Sequence, residues 1–162
     1  MNTTVTDLRV WQRWKEAKRL AILATFEDSL TGMRVKEFCR DLSRNLGQQC
    51  QIVEHVWLFS TFRLRELQEI AAEEASASDL VIISVHQAED LPDEVKSWID
   101  LWLGQKGARP AVLLALLDPG YEGASSSTEA YLQATARRGG MEFLVESRTG
   151  PAARWQPQQP DS

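Results

Sequence analysis

Cysteine is scarce in this chain: Cys39 and Cys50 are the only two among 162 residues. Two thiols make neither a disulfide framework nor a zinc site, which need more ligands at regular spacing. Cys39 falls on the apolar side of a helical pattern and is expected to be a buried free thiol. Long apolar runs are missing as well, none approaching the ~20 residues of a membrane span. The opening "MNTTVTDLRV" lacks the basic stretch and apolar core of a secretory leader. Positive charge is in deficit, with 18 Lys and Arg against 23 Asp and Glu and a formal net charge of −5. That balance argues against a nucleic-acid partner, which needs clustered cations. The one basic cluster, "RVWQRWKEAKR" at 9–19, is followed by Glu27 and Asp28 and reads as a solvated lead-in. These absences set the expectation of a cytoplasmic protein with no membrane and no nucleic-acid contact.

What is present is an alternation of short apolar runs with helical patterns. Hydrophobic content of 43% and charged content of 25% suit one folded domain of this length. "RLAILATF" at 19–26 is a nearly continuous apolar run, as a buried parallel strand requires. Val35, Phe38, Cys39, Leu42 and Leu46 then recur at helical spacing, with Gly47 as a C-cap. A second strand is predicted at 51–59, and a helix at 62–75 with Leu64, Leu67, Ile70 and Ala71 on one side. "DLVIISVH" at 79–86 is a third strand. Pro92, Asp93 and Glu94 then open a helix whose buried stripe is Val95, Trp98, Ile99 and Trp102. "PAVLLALLD" at 110–118 is a fourth strand, 128–138 a helix, and "MEFLVE" at 141–146 an edge strand.

This order predicts an α/β protein: a three-layer, doubly wound, parallel five-stranded sheet with helices on both faces. The chain divides into an N-terminal segment at 1–18 with a short helix, a domain at 19–146 and a disordered tail at 147–162 rich in Pro, Gln and Ala. Six tryptophans invite explanation. Trp98 and Trp102 pack a helix onto the sheet. Trp11 and Trp14 share a helix side that either folds back on the domain or meets a partner, and Trp155 would be an anchor in the tail.

The stretch 77–116 carries a family resemblance. Asp79 before a strand, then "PDEVK" at 92–96 opening a helix, then Ala108, Arg109 and Pro110 before the next strand, resemble the flavodoxin-like superfamily. The flavin and quinone reductase branch is the nearest in pattern. The resemblance implies strand order 2-1-3-4-5 and an FMN phosphate loop between the first strand and first helix. "SLTGMR" at 29–34 aligns with that loop: Ser29, Thr31 and Gly32 match, and Arg34 replaces its last Thr. Small hydroxyls and free helix N–H groups make a nest for a dianion, and an arginine adds a charge-assisted bond. Against it, Glu27 and Asp28 would repel a phosphate. The turn expected to hold the flavin ring reads "HQAED", without the tyrosine and glycines of the reductases, although Tyr121 lies near the next strand end.

In an open α/β sheet, ligands bind at the carboxyl ends of the strands. Those ends carry Glu27, Asp28, Ser60, Thr61, Ser84, His86, Asp118 and, beyond it, Tyr121. The acidic pair Glu27 and Asp28 resembles the Mg²⁺-holding pair in receiver domains of bacterial signalling. A receiver's phosphorylated Asp has no counterpart at Ser84-Val85-His86, and its Ser/Thr and Lys are replaced by Asp118 and Glu146. No G-x-S-x-G elbow supplies a nucleophile to His86 and Asp118, and no spacing marks a metal site. The sequence therefore favours a non-catalytic, flavodoxin-like binding or regulatory module without cofactor or metal, acting through a protein partner or a second copy of itself. The alternatives are a small FMN-binding electron carrier or NAD(P)H-dependent reductase, and a degenerate receiver-like module.

Overall fold

Continuous apolar runs of β-branched and leucine residues become the central strands, because a strand covered by helices on both faces has no polar side. The computed structural model describes residues 8–86, 90–119 and 127–147. Along the chain the elements are α1 (Leu8–Glu16), β1 (Arg19–Phe26), α2 (Ser29–Leu46), β2 (Gln51–Leu58) and α3 (Arg65–Ser76). They continue with β3 (Leu80–Ser84), α4 (Asp93–Lys106), β4 (Val112–Leu117), α5 (Ser127–Arg138) and β5 (Glu142–Ser147). The strands form one parallel sheet in the order β2-β1-β3-β4-β5. This is the flavodoxin-like α/β architecture.

Register sorts the side chains into two cores. Leu23, Val81 and Leu113 are aligned across β1, β3 and β4 and face α3, α4 and α5 through Ala71, Trp98, Trp102 and Leu132. Ile22, Leu80 and Val112 are aligned one step along and face α1 and α2 through Val10, Trp14, Phe38 and Leu42. Trp14 is 2% exposed, so this side of the N-terminal segment folds back onto the sheet. Phe62 stacks on Trp98 with ring centroids 4.8 Å apart, and Trp102 lies beside Trp98. No helix among the described residues is long and apolar enough to cross a membrane.

Two elements differ from the periodicity reading. The helix expected at 62–75 is split: Phe59–Arg63 is a 3-10 turn, Leu64 is extended, and α3 begins at Arg65. The threonine hydroxyl of Thr61 donates to the Leu58 carbonyl at 2.6 Å and stabilises that turn. The buried face of α3 is Gln68, Ala71, Ala72 and Ala75, whereas Leu64 and Ile70 are exposed. A buried glutamine is tolerated because its amide donates to the carbonyls of Phe62 and Glu94. The helix after β1 also starts earlier than the hydrophobic pattern indicates, at Ser29. Tyr121, Trp155, the side chain of Trp11 and the tail beyond Ser147 lie outside the described residues.

Candidate functional site

The chain leaves β1 to build β2 on one side and returns to build β3 on the other, so the carboxyl ends of β1 and β3 flank the point where strand order reverses. Such a point is where ligands of open α/β sheets are held. Phe26 and Ser84, the last residues of the two strands, are register partners.

Only Glu27 and Asp28 separate β1 from α2. Asp28 is the N-cap, with extended backbone, and its carboxylate accepts the Thr31 N–H at 3.0 Å. The Thr31 hydroxyl oxygen in turn accepts the N–H groups of Asp28 at 2.9 Å and Glu27 at 2.8 Å. This capping box satisfies helix-end donors reciprocally and starts the helix at Ser29. Residues 29–34 are consequently the first turns of α2. Ser29 is exposed and Thr31 is buried. A Cβ on Gly32 would lie 2.9 Å from the Phe26 ring, so glycine at this position allows α2 to approach the end of β1 closely.

Arg34 is buried, and its guanidinium donates to Asp118, just beyond β4, at 2.5 Å. His86, two residues beyond β3, occupies the centre. Its Nδ1 lies 2.8 and 3.0 Å from the two Asp118 carboxylate oxygens, its Nε2 lies 2.9 Å from Asp28 Oδ2, and its backbone N–H donates to Glu27 at 3.0 Å. Ser84 donates its hydroxyl to the Thr31 carbonyl at 2.9 Å, tying β3 to α2.

A ring with carboxylate oxygens at both nitrogens bonds to both only as imidazolium, because neutral histidine has one N–H. Burial lowers the His86 pKa, but bonds and charge from Asp118 and Asp28 outweigh it, and the net shift is upward. For Asp28, burial acts upward but is outweighed by the Thr31 N–H and by His86, leaving its pKa below the usual value. Three carboxylates, Glu27, Asp28 and Asp118, thus meet two cations, Arg34 and His86, and the charge is largely balanced within the chain.

This cluster joins five of the six crevice residues singled out from the sequence, together with Thr31 and Arg34 from the loop reading. Tyr121, the sixth, is outside the described residues. Ser60 and Thr61 follow β2 and have no bond to the cluster. Sequence reasoning placed His86 and Asp118 at neighbouring strand ends but missed the pairing of Arg34 with Asp118. The available signal was the surplus of acid at the ends of β1 and β4, which calls for a cation from an adjoining element. Among the described residues, no group of three or more His, Cys, Asp or Glu is arranged to hold a metal ion. Compared with known proteins, the chain matches no family model and no curated protein.

Proposed function

We propose that this chain is a non-catalytic, flavodoxin-like binding or regulatory module that works through protein contacts, with a strand-end crevice held shut by its own charges. The observation that carries this reading is the position of the Asp28 carboxylate. It sits on the α2 N-terminus, where a bound phosphate would otherwise be favoured. Arg34, the cation that a phosphate would recruit, is already committed to Asp118. General acid–base catalysis needs a ring nitrogen within reach of substrate, and both nitrogens of His86 face carboxylates. The contact surface in this reading is the rim of the crevice, where Leu30 and Met33 are neighbours on α2 and are 39% and 45% exposed. Buried cysteines outside any disulfide, Cys39 and Cys50, fit a reducing, cytoplasmic setting.

The test is a titration of FMN into the protein followed by flavin fluorescence, alongside sedimentation of wild type and Leu30→Lys/Met33→Lys over a range of concentrations. The expected result is no saturable quenching, with a concentration-dependent mass that the double variant abolishes. Saturable quenching at micromolar FMN would overturn the reading in favour of a small flavoprotein. An identical monomer mass for both proteins at every concentration would exclude a second copy as the occupant of this rim.

A further inference from the structure

A cavity of about 260 Å³ lies at the opposite end of the sheet from the crevice. Its apolar wall is made by Trp14 of α1, Leu20 at the start of β1, and Pro110 and Ala111 just before β4. Three arginines are among the residues that line it, Arg13, Arg19 and Arg109, against one acid, Asp79. In a chain of net charge −5, this is a local reversal of sign.

The three arginines are not equally engaged. Arg13 bonds Glu142 of β5 at 2.7 Å, and this pair is substantially exposed, with side-chain exposures of 48% and 32%. Arg109 donates to the Ser78 carbonyl at 2.8 Å and to Asp79 at 3.2 Å. Asp79 is itself held from the other side, its second oxygen accepting the Ala21 N–H at 2.9 Å. Arg19 is exposed and has no hydrogen-bond or ion-pair partner among the described residues. Exposed pairs of this kind hold their partners weakly, so Arg13 can turn from Glu142 to a better acceptor. Arg19 has no bond to give up.

We propose that this cavity binds a small organic anion, a carboxylate or phosphate head on a flat apolar body. The head would be taken by Arg19 with Arg13 and Arg109, and the body would lie against the apolar lining that Pro110, Ala111 and Ala17 share with Trp14. Guanidinium groups match both kinds of head in bidentate geometry. The volume falls just below the ~300–1,000 Å³ usual for drug-sized ligands, which limits the occupant to a small metabolite. Because α1, β1 and the approach to β4 all contribute to the wall, an occupant would fasten the N-terminal helix to the sheet. The site is separate from the strand-end crevice, and its fate does not depend on what that crevice does.

The experiment uses the full chain. Phenyl phosphate, benzoate, benzyl alcohol and inorganic phosphate are titrated in turn, and the indole N–H resonance of Trp14, assigned by loss in Trp14→Phe, is followed by NMR. Saturable shifts with phenyl phosphate or benzoate, absent with neutral benzyl alcohol, are expected, and the tighter of the two identifies the head group. Arg19→Gln, an exposed change that leaves the fold intact, should weaken binding about tenfold. No saturable shift with either aromatic anion would overturn the proposal. So would equal affinity for wild type and Arg19→Gln, or inorganic phosphate binding as tightly as phenyl phosphate.

Discussion

His86 joins three strand ends through one ring and one N–H. Because its folded pKa is raised, the stability it contributes is fully present below the unfolded value near 6.5 and is lost as pH rises through the higher folded value. The groups facing it are Asp28 and Glu27 from the β1–α2 junction and Asp118 beyond β4, which is itself bonded to Arg34 of α2. His86→Asn should therefore be less stable than wild type by about 1 kcal/mol at low pH, a modest figure because Asp28 is half exposed. The difference should shrink across that window. Urea denaturation at a series of pH values measures it, and an NMR titration of the ring gives the folded pKa directly. A gap between the proteins that is independent of pH would show that the ring is not held as imidazolium.

Between elements, a buried polar tie away from the crevice is made by Lys106 at the end of α4. Its buried ammonium donates to the carbonyls of Gly107 and Gly139, at 3.3 and 2.8 Å, and to that of Arg109. It thereby joins the end of α4 to the turn after α5 and to the approach to β4. Burial and the neighbouring Arg109 charge lower its pKa from the usual lysine value. Lys106→Met would keep most of the volume and leave these carbonyls without their donor. The expected cost is about 2 kcal/mol in urea denaturation, with faster amide exchange at the α4 C-terminus. An unchanged midpoint would mean that water replaces the ammonium without loss.

At the scale of the whole molecule, α1 is part of the second core. Val10 and Trp14 pack with Leu20, Ile22, Val35 and Phe38, and Arg13 reaches across to Glu142 on the far edge strand. Trp14→Ala should cost about 3 kcal/mol, the usual penalty for deleting a large buried aromatic side chain. It should also leave α1 unprotected in amide exchange while α3 and α4, which face the other core, remain protected. Loss of protection throughout the sheet would instead show that the two cores unfold as a single unit.

Local chemistry determined much of this protein before any tertiary contact was known. The apolar runs at 19–26, 79–86 and 110–118 contain the three central strands, because strands buried on both faces must be apolar throughout. The alternation of strands with helices led to the parallel sheet, and the flavodoxin-like resemblance implied the strand order that the sheet has. The acids and histidine of the crevice were legible as well, since strand ends are known once strands are. Tertiary structure alone decided what these residues do. Arg34 and Asp118 lie far apart in the chain, so no periodicity reveals that one neutralises the other. Leu64 and Ile70 fit a helical stripe yet point outward. Packing of α3 is set by Gln68 and three alanines, small side chains that let α3 pack closely and a polar one with two carbonyl acceptors. The capping box likewise turned a loop-like motif into a helix start, because the Asp28 carboxylate, adjacent in the chain, accepts the Thr31 N–H. The arginine-lined cavity has no sequence signature. It arises where the end of α1 crosses the start of β1 and the approach to β4, which only the folded chain brings together.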